Sequence, residues 1–232
     1  MFNIIFYNDN NLYIKFFHFF NMKAIKISLL LIISILIVLG IPTIGNAQIP
    51  RPEAIYPFGH YDTAGDANAV HVSGNIAYVV DSSDGLLSIN IQDPANPTLL
   101  DKISTTGYPK DIFIIGNIAY VATNLGLELF DITNPKNLTQ LGSYALLTGE
   151  GENVLVDDHV AFLAAQTAGI KIIDVSNPKN LTEITTINTI GDAYGVEIQG
   201  DILFAASWDY GFRIYNISDL TNPQLISQNP TT

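Results

Sequence analysis

The residues of this chain that could do chemistry are few, and most of them fall in short segments between apolar stretches. His71 stands where an imidazole could act as a general base, with Glu197 as a carboxylate neighbour across an axial channel; a packed or solvated histidine is the commoner role for such a residue. Asp66, Glu150, Glu152 and Asp192 could together offer the several oxygens a calcium ion needs, although acidic residues in solvated loops are the more frequent explanation. Trp208, Asp209 and Tyr210 make one short aromatic and acidic loop suited to stacking on a sugar or gripping a peptide; packing on a neighbouring element competes with that role. No nucleophile motif, phosphate-binding loop or histidine-rich metal spacing occurs. The chain has no cysteine, which removes disulfides, thiolate zinc and thiol nucleophiles together. No catalytic residue, metal ligand set or organic cofactor follows from these residues.

The elements that position these residues repeat. GNIAYV occurs at Gly74–Val79 and again at Gly116–Val121. Around it, AVHVSGNIAYVVD, DIFIIGNIAYVAT, NVLVDDHVAFLAA and GVEIQGDILFAAS start at Ala69, Asp111, Asn153 and Gly195, a spacing of 42 residues without a gap. A second block follows each copy, with glycines at Gly85, Gly126, Gly169 and Gly211, and a further glycine precedes each copy at Gly65, Gly107, Gly149 and Gly191.

Within a unit the alternation has a period of two. VHV and IAYVV flank a Gly-Asn turn as a hairpin, GLLSIN adds a third strand, and TLLDKIST adds a fourth after a proline-containing turn. Four antiparallel strands per unit of about 42 residues predict the blades of a β-propeller. Asn90, Asp131, Asp174 and Asn216 end the third strands, where an Asx side chain can bond the backbone of the turn beyond. GIKIIDVSNPKNL and GLELFDITNPKNL, each after a GNIAYVA-like hairpin, resemble the LVIVD repeat over about residues 55–228. The resemblance implies an all-β propeller of about four repeats in an exported or surface protein, and carries no catalytic residues to transfer. The last copy departs from the pattern, with Asn216 for Asp and Leu220 for Pro, which puts its outer turn in question.

Ile55–Asp62 matches the fourth strand of an otherwise missing blade, while PQLISQ gives the last unit a fourth strand of its own. Three arrangements fit: a four-bladed ring with a redundant strand, an open arc that pairs with another chain, or a truncated reading frame of a larger propeller. An open arc leaves apolar blade faces uncovered and favours self-assembly. In any of them the hairpin turns and the Asn-Pro turns emerge on one side and are uniform. The loops on the other side, DSSDG, TNLG, QTAG and SWDYG with the segments leading into each inner strand, vary between copies. Variation on a fixed scaffold is where binding specificity sits.

Residues 22–47 read MKAIKISLLLIISILIVLGIPTIGNA: two lysines, an apolar run short for the about 20 residues of a span, which leaves an uncleaved membrane anchor as the alternative, then small residues ending at Ala47. That is the layout of a signal peptide, with 1–21 an over-extended start, 48–54 a linker and 55–229 the repeat domain. Setting 1–47 aside leaves seven basic and 21 acidic residues, a balance of −14, which disfavours nucleic acid and anionic lipid. The sequons at Asn137, Asn180 and Asn216 arise from the repeat itself. The expectation is a non-catalytic exported module that binds a protein or glycan at the cell surface; a secreted hydrolase or lyase using His71 and the acidic loops is the alternative. N-terminal sequencing of the exported protein is expected to begin at Gln48, and an intact Met22 on a membrane-bound form contradicts the processing site.

Overall fold

The computed structural model describes residues 59–208 and 210–229. The repeated segments form sixteen strands. Blade 1 comprises β1 (Ala67–Ser73), β2 (Ile76–Asp81), β3 (Gly85–Asn90) and β4 (Thr98–Ile103). Blade 2 comprises β5 (Pro109–Ile115), β6 (Ile118–Thr123), β7 (Gly126–Asp131) and β8 (Thr139–Ala145). Blade 3 comprises β9 (Asn153–Asp157), β10 (Val160–Ala164), β11 (Ile170–Asp174) and β12 (Thr182–Ile187). Blade 4 comprises β13 (Ala193–Gln199), β14 (Ile202–Ser207), β15 (Gly211–Asn216) and β16 (Gln224–Asn229). Each blade is one antiparallel sheet with its strands in chain order, as the 42-residue period predicts.

Local chemistry fixes the turns. The first residue of each inner hairpin turn has a positive φ: 58° at Gly74, 57° at Gly116 and Gly200, and 51° at Asp158. Glycine takes that conformation without strain and aspartate is among the few side chains that tolerate it. The third strand meets the fourth with a register shift at the same place in every blade, between Ser88 and Ile89, Leu129 and Phe130, Ile172 and Ile173, and Ile214 and Tyr215. Such bulges raise local twist, and here they recur once per blade. Beyond them Asn90, Asp131, Asp174 and Asn216 accept hydrogen bonds at 2.8–2.9 Å from the N–H two residues on. A second set, Asp93, Asn134, Asn177 and Asp219, does the same one turn later. The outer turn of blade 4 is therefore built like the others despite Asn216 and Leu220, because the acceptor oxygens remain.

Alternation puts apolar residues on both faces of every sheet, and successive blades close over them. On the face turned to the next blade, Tyr78 and Leu86 of blade 1 pack with Ile112, Ala119 and Phe130 of blade 2. Tyr120, Leu127 and Leu129 of blade 2 pack with Val154, Val156 and Leu163. Phe162, Ile170 and Ile172 of blade 3 pack with Val196, Leu203 and Tyr215. Side chains tie the inner strands across these joints: Asn68 Nδ2 donates to Pro109 O at 2.7 Å, and Asn153 Nδ2 to Asp111 Oδ2 at 2.6 Å. Asn153 Oδ1 in turn accepts from Val196 N at 2.9 Å.

At the N-terminal side, residues 55–58 of the expected spare strand and the expected segments 1–21, 22–47 and 48–54 lie outside the described residues. Gly59 is described, and a Cβ there would collide with the carbonyls of Pro94 and Ala95, just as one at Gly142 in β8 would collide with the Pro178 carbonyl of the next blade. Gly59 thus stands where the outer strand of a preceding blade would stand.

Phe162 and Phe204 hold equivalent places in β10 and β14, yet Phe162 is buried between blades and Phe204 is half-buried. Phe162→Ala is expected to cost about 3–5 kcal/mol in urea unfolding, the usual loss for a buried phenylalanine. Phe204→Ala is expected to cost clearly less, and equal losses would contradict the difference in packing.

Candidate functional site

The loops after each second strand and the connectors between blades share one side of the molecule. In blade 1 the loop is built on Asp81, a buried carboxylate that accepts from Ser83 N and Asp84 N at 2.8 Å each and from Gly65 N at 3.2 Å. Burial alone pushes its pKa up, but these bonds and one with Thr63 outweigh it and hold the carboxyl below the ordinary aspartate value. Asp84 pairs with Lys102 at 2.6 Å. In blade 2 Thr123 takes the place of Asp81, and Asn124 Oδ1 accepts from Tyr108 N at 2.7 Å.

Between these two loops lies a cleft of about 330 Å³, lined by Ser82, Ser83, Gly85, Ser104, Thr105, Thr106, Gly107, Tyr108, Asn124 and Leu125. Its lining offers hydroxyls, an amide, a phenol and an aliphatic side chain, with no carboxylate or imidazole. The connector that forms one wall is held from below. Glu128, buried in β7, accepts from Thr106 N at 2.8 Å and Gly107 N at 3.4 Å, and from Gln140 Nε2 at 2.9 Å. Burial pushes its carboxyl above the ordinary glutamate value, against the pull of those hydrogen bonds.

At the joint of blades 3 and 4 the same side carries aromatics. Trp208, 72% exposed, lies against Tyr194 with ring centroids 5.2 Å apart, and the Tyr210 ring covers Gly191. Arg213, buried in β15, donates from Nη1 to Ile190 O at 2.7 Å and fixes that connector as Glu128 fixes its own. Asp209, expected between the two aromatics, lies outside the described residues.

The other expected site residues are dispersed. Asp66, Glu150 with Glu152, and Asp192 stand before the inner strands of three different blades. Glu152 accepts a hydrogen bond from Gln166 Nε2 at 2.5 Å, and the backbone N–H of Asp66 donates to Ser82 Oγ at 2.9 Å. Among the described residues no group of three or more His, Asp or Glu side chains could hold a metal ion, so the calcium arrangement of these four is not formed. His71 meets the edge of Phe113 at 6.3 Å, and no hydrogen bond or ion pair joins it to Glu197 among the described residues. The position of His71 faces the next blade, as Phe113 and Leu155 do in theirs, so packing explains it better than an axial base. The cleft is what the sequence did not disclose: its serines and threonines read as ordinary turn residues, and it forms only where two units meet.

The sequence model of the LVIVD repeat matches four times, at residues 64–105, 106–146, 148–189 and 190–231. The chain belongs to the LVIVD repeat family. The matched boundaries follow the blades described above, each repeat running from the connector through the fourth strand. No curated protein matches it. Among solved structures it is similar to the computationally designed Ika8 protein, at 12% identity and TM-score 0.59, over 71% of this chain and 49% of that one. The designed Ika4 protein aligns at 12% identity and TM-score 0.56, over 67% and 93%. BamB from Moraxella catarrhalis aligns at 15% identity and TM-score 0.56, over 74% and 53%. The LVIVD chain thus spans about half the length of Ika8 and BamB and nearly all of Ika4, and at these identities the likeness is one of fold.

Because burial raises its pKa, charged Glu128 costs stability at pH 7; the cost fades as the pH falls through the folded-state value and is gone below the unfolded one. Glu128→Gln is expected to raise the melting temperature at pH 7, with the gain shrinking towards pH 4. A variant destabilised equally at both values contradicts this sign.

Proposed function

We propose that this LVIVD-repeat protein is an exported, non-catalytic interaction module that binds a glycan or protein partner at the cell surface through its loop side. The observation that carries the reading is the placement of exposed apolar side chains. Tyr108, Leu125, Leu147, Ile190, Trp208 and Tyr210 lie on the loops and connectors of that side, with Tyr194 beside them at the start of β13; the other exposed large apolar side chains, Tyr61 apart, are strand residues such as Val70, Leu99, Ile115 and Leu225. The turns of the opposite side repeat one hydrogen-bonded Asx design four times and expose polar residues, including Asn137 and Asn180. Large exposed apolar groups concentrated on one surface mark an interaction site.

The cleft between blades 1 and 2 favours a neutral polyhydroxyl ligand, since hydroxyls and an amide can exchange hydrogen bonds with sugar hydroxyls while Tyr108 offers a face for a ring. Catalysis would need an acid and a base converging on one pocket, and the cleft lining carries neither a carboxylate nor an imidazole. Export rests on the signal-peptide layout of residues 22–47, and the acidic balance of the remainder disfavours phosphate backbones as partners.

A glycan array and a pull-down from the producing cell's surface fraction would identify the partner. With that partner, Tyr108→Ala or the pair Trp208→Ala and Tyr210→Ala is expected to cost more than ~1 kcal/mol of binding, roughly fivefold in affinity. An Asn137→Ala and Asn180→Ala double variant is expected to bind as the parent does. Equal capture by all variants would remove the loop-side reading.

A further inference from the structure

The outer turn of every blade ends on an asparagine: Asn96, Asn137, Asn180 and Asn222. Its backbone N–H donates to the carbonyl three residues earlier, at 3.0 Å from Asn96 to Asp93, 2.9 Å from Asn137 to Asn134, 2.9 Å from Asn180 to Asn177 and 3.1 Å from Asn222 to Asp219. That bond closes the turn without calling on the side chain. In blade 1 the side chain is used as well, since Asn96 Nδ2 donates to Asp93 Oδ2 at 2.9 Å. In blades 2 and 3 Asn134 and Asn177 stand in place of Asp93, and their Oδ1 atoms accept from Lys136 N and Lys179 N. No described residue bonds the Asn137 or Asn180 side chain, and both residues are exposed. Blades 2 and 3 differ also in the two residues that follow. Asn96 and Asn222 precede Pro97 and Pro223, whereas Asn137-Leu138-Thr139 and Asn180-Leu181-Thr182 have the N-x-T form without proline. Leu138 is buried and Leu181 packs on the core of its joint, while the asparagine and threonine on either side face out together. Thr139 and Thr182 open β8 and β12, and no described residue bonds their hydroxyls.

We propose that Asn137 and Asn180 are N-glycosylation sites, with Nδ2 as the acceptor atom and an oligosaccharide carried on a polyprenyl diphosphate as the donor. Nδ2 bonds to the anomeric carbon of the sugar. The bond from that carbon to the diphosphate oxygen breaks, the diphosphate leaves with the electron pair, and the amide gives up one proton. Asn216-Ile217-Ser218 has the same sequence form and a different setting. Asn216 is the last residue of β15, paired with Ile202 on one side and Gln224 on the other, and its Oδ1 accepts from Ser218 N at 2.9 Å. Asn137 and Asn180 sit in turns outside any ladder, so a transferase can draw them into its site without parting two strands, and Asn216 stays unmodified. The inference rests on the export part of the proposed function, because the motif is an acceptor in exported proteins. Both sites lie on the rim opposite the variable loops, so bulky, solubilising sugars there leave the loop side clear for a partner.

The test is mass spectrometry of the full chain recovered from the medium and surface fraction of the producing cell. Trypsin puts the three asparagines on separate peptides, since Lys136, Lys171, Lys179 and Arg213 lie before and between them. The peptides beginning at Asn137 and at Asn180 are each expected to carry the same added glycan mass, and the peptide containing Asn216 none. In Thr139→Ala the addition at Asn137 is expected to vanish while that at Asn180 stays. Thr139→Ser is expected to keep both, because either hydroxyl completes the motif. Unmodified Asn137 and Asn180 in chain recovered outside the cell would overturn the proposal and leave export standing. Recovery of the chain from the cytoplasm alone would overturn both readings. An addition that persists in Thr139→Ala, or one found equally on Asn216, would also overturn the proposal, the first by placing the sugar on another atom and the second by removing the role of the turn.

Discussion

A four-stranded blade with apolar residues on both faces has no stable existence by itself, because a sheet must bury whatever apolar surface it carries. The rest of this protein depends on that constraint. It explains why the aromatic of the second strand recurs as Tyr78, Tyr120, Phe162 and Phe204, and why the inner strand answers with β-branched pairs. The core is accordingly not central but distributed, one cluster to each joint and a smaller one at Ala77, Leu87 and Ile89 of blade 1. Stability in such an array is a sum over units and neighbouring interfaces, so blade 4, whose Phe212 is exposed where Leu127 and Ile170 are buried, is held less firmly than blades 2 and 3.

Because burial is met at the joints, the two rims are released for different tasks. One rim is spent on geometry: paired Asx side chains cap each outer turn, and a backbone kink at the third strand recurs at the same register. The other rim is anchored from beneath by long side chains at one repeat position, Glu128 in blade 2 and Arg213 in blade 4, each reaching the connector before its own blade. The choice of side chain at that position differs between blades, so the connectors above it differ too. This lets a rigid scaffold present unlike loops, with hydroxyls at one joint and aromatics at another.

Much of the fold was legible in the sequence, since a gapless 42-residue period with alternating strands leaves few alternatives. Turn chemistry was legible for the same reason, and it extended even to Asn216, whose oxygen does the work of the usual aspartate. The site was read less well. Trp208 and Tyr210 do emerge on the variable side, but the acidic residues grouped for their oxygens are spread over three blades, and His71, expected to line the axis, holds a repeat position that faces a neighbour. The cleft escaped notice because Ser82, Thr106 and Asn124 come from two units, and polar turn residues carry no signal of what they line. The exposure of Val70 and Phe212 escaped for a related reason: both are apolar like their internal counterparts, and only the fold shows that they stand open among the described residues.

The central claim is that burial at the joints holds each blade in place. Amide hydrogen exchange tests this most directly, since protection reports local opening. Faster exchange is expected in Ile202–Ser207 and Gly211–Asn216 of blade 4, where Phe212 is exposed, than in Ile118–Thr123 and Gly126–Asp131 of blade 2, where Leu127 and Leu129 are buried. Equal protection of the two blades would contradict it.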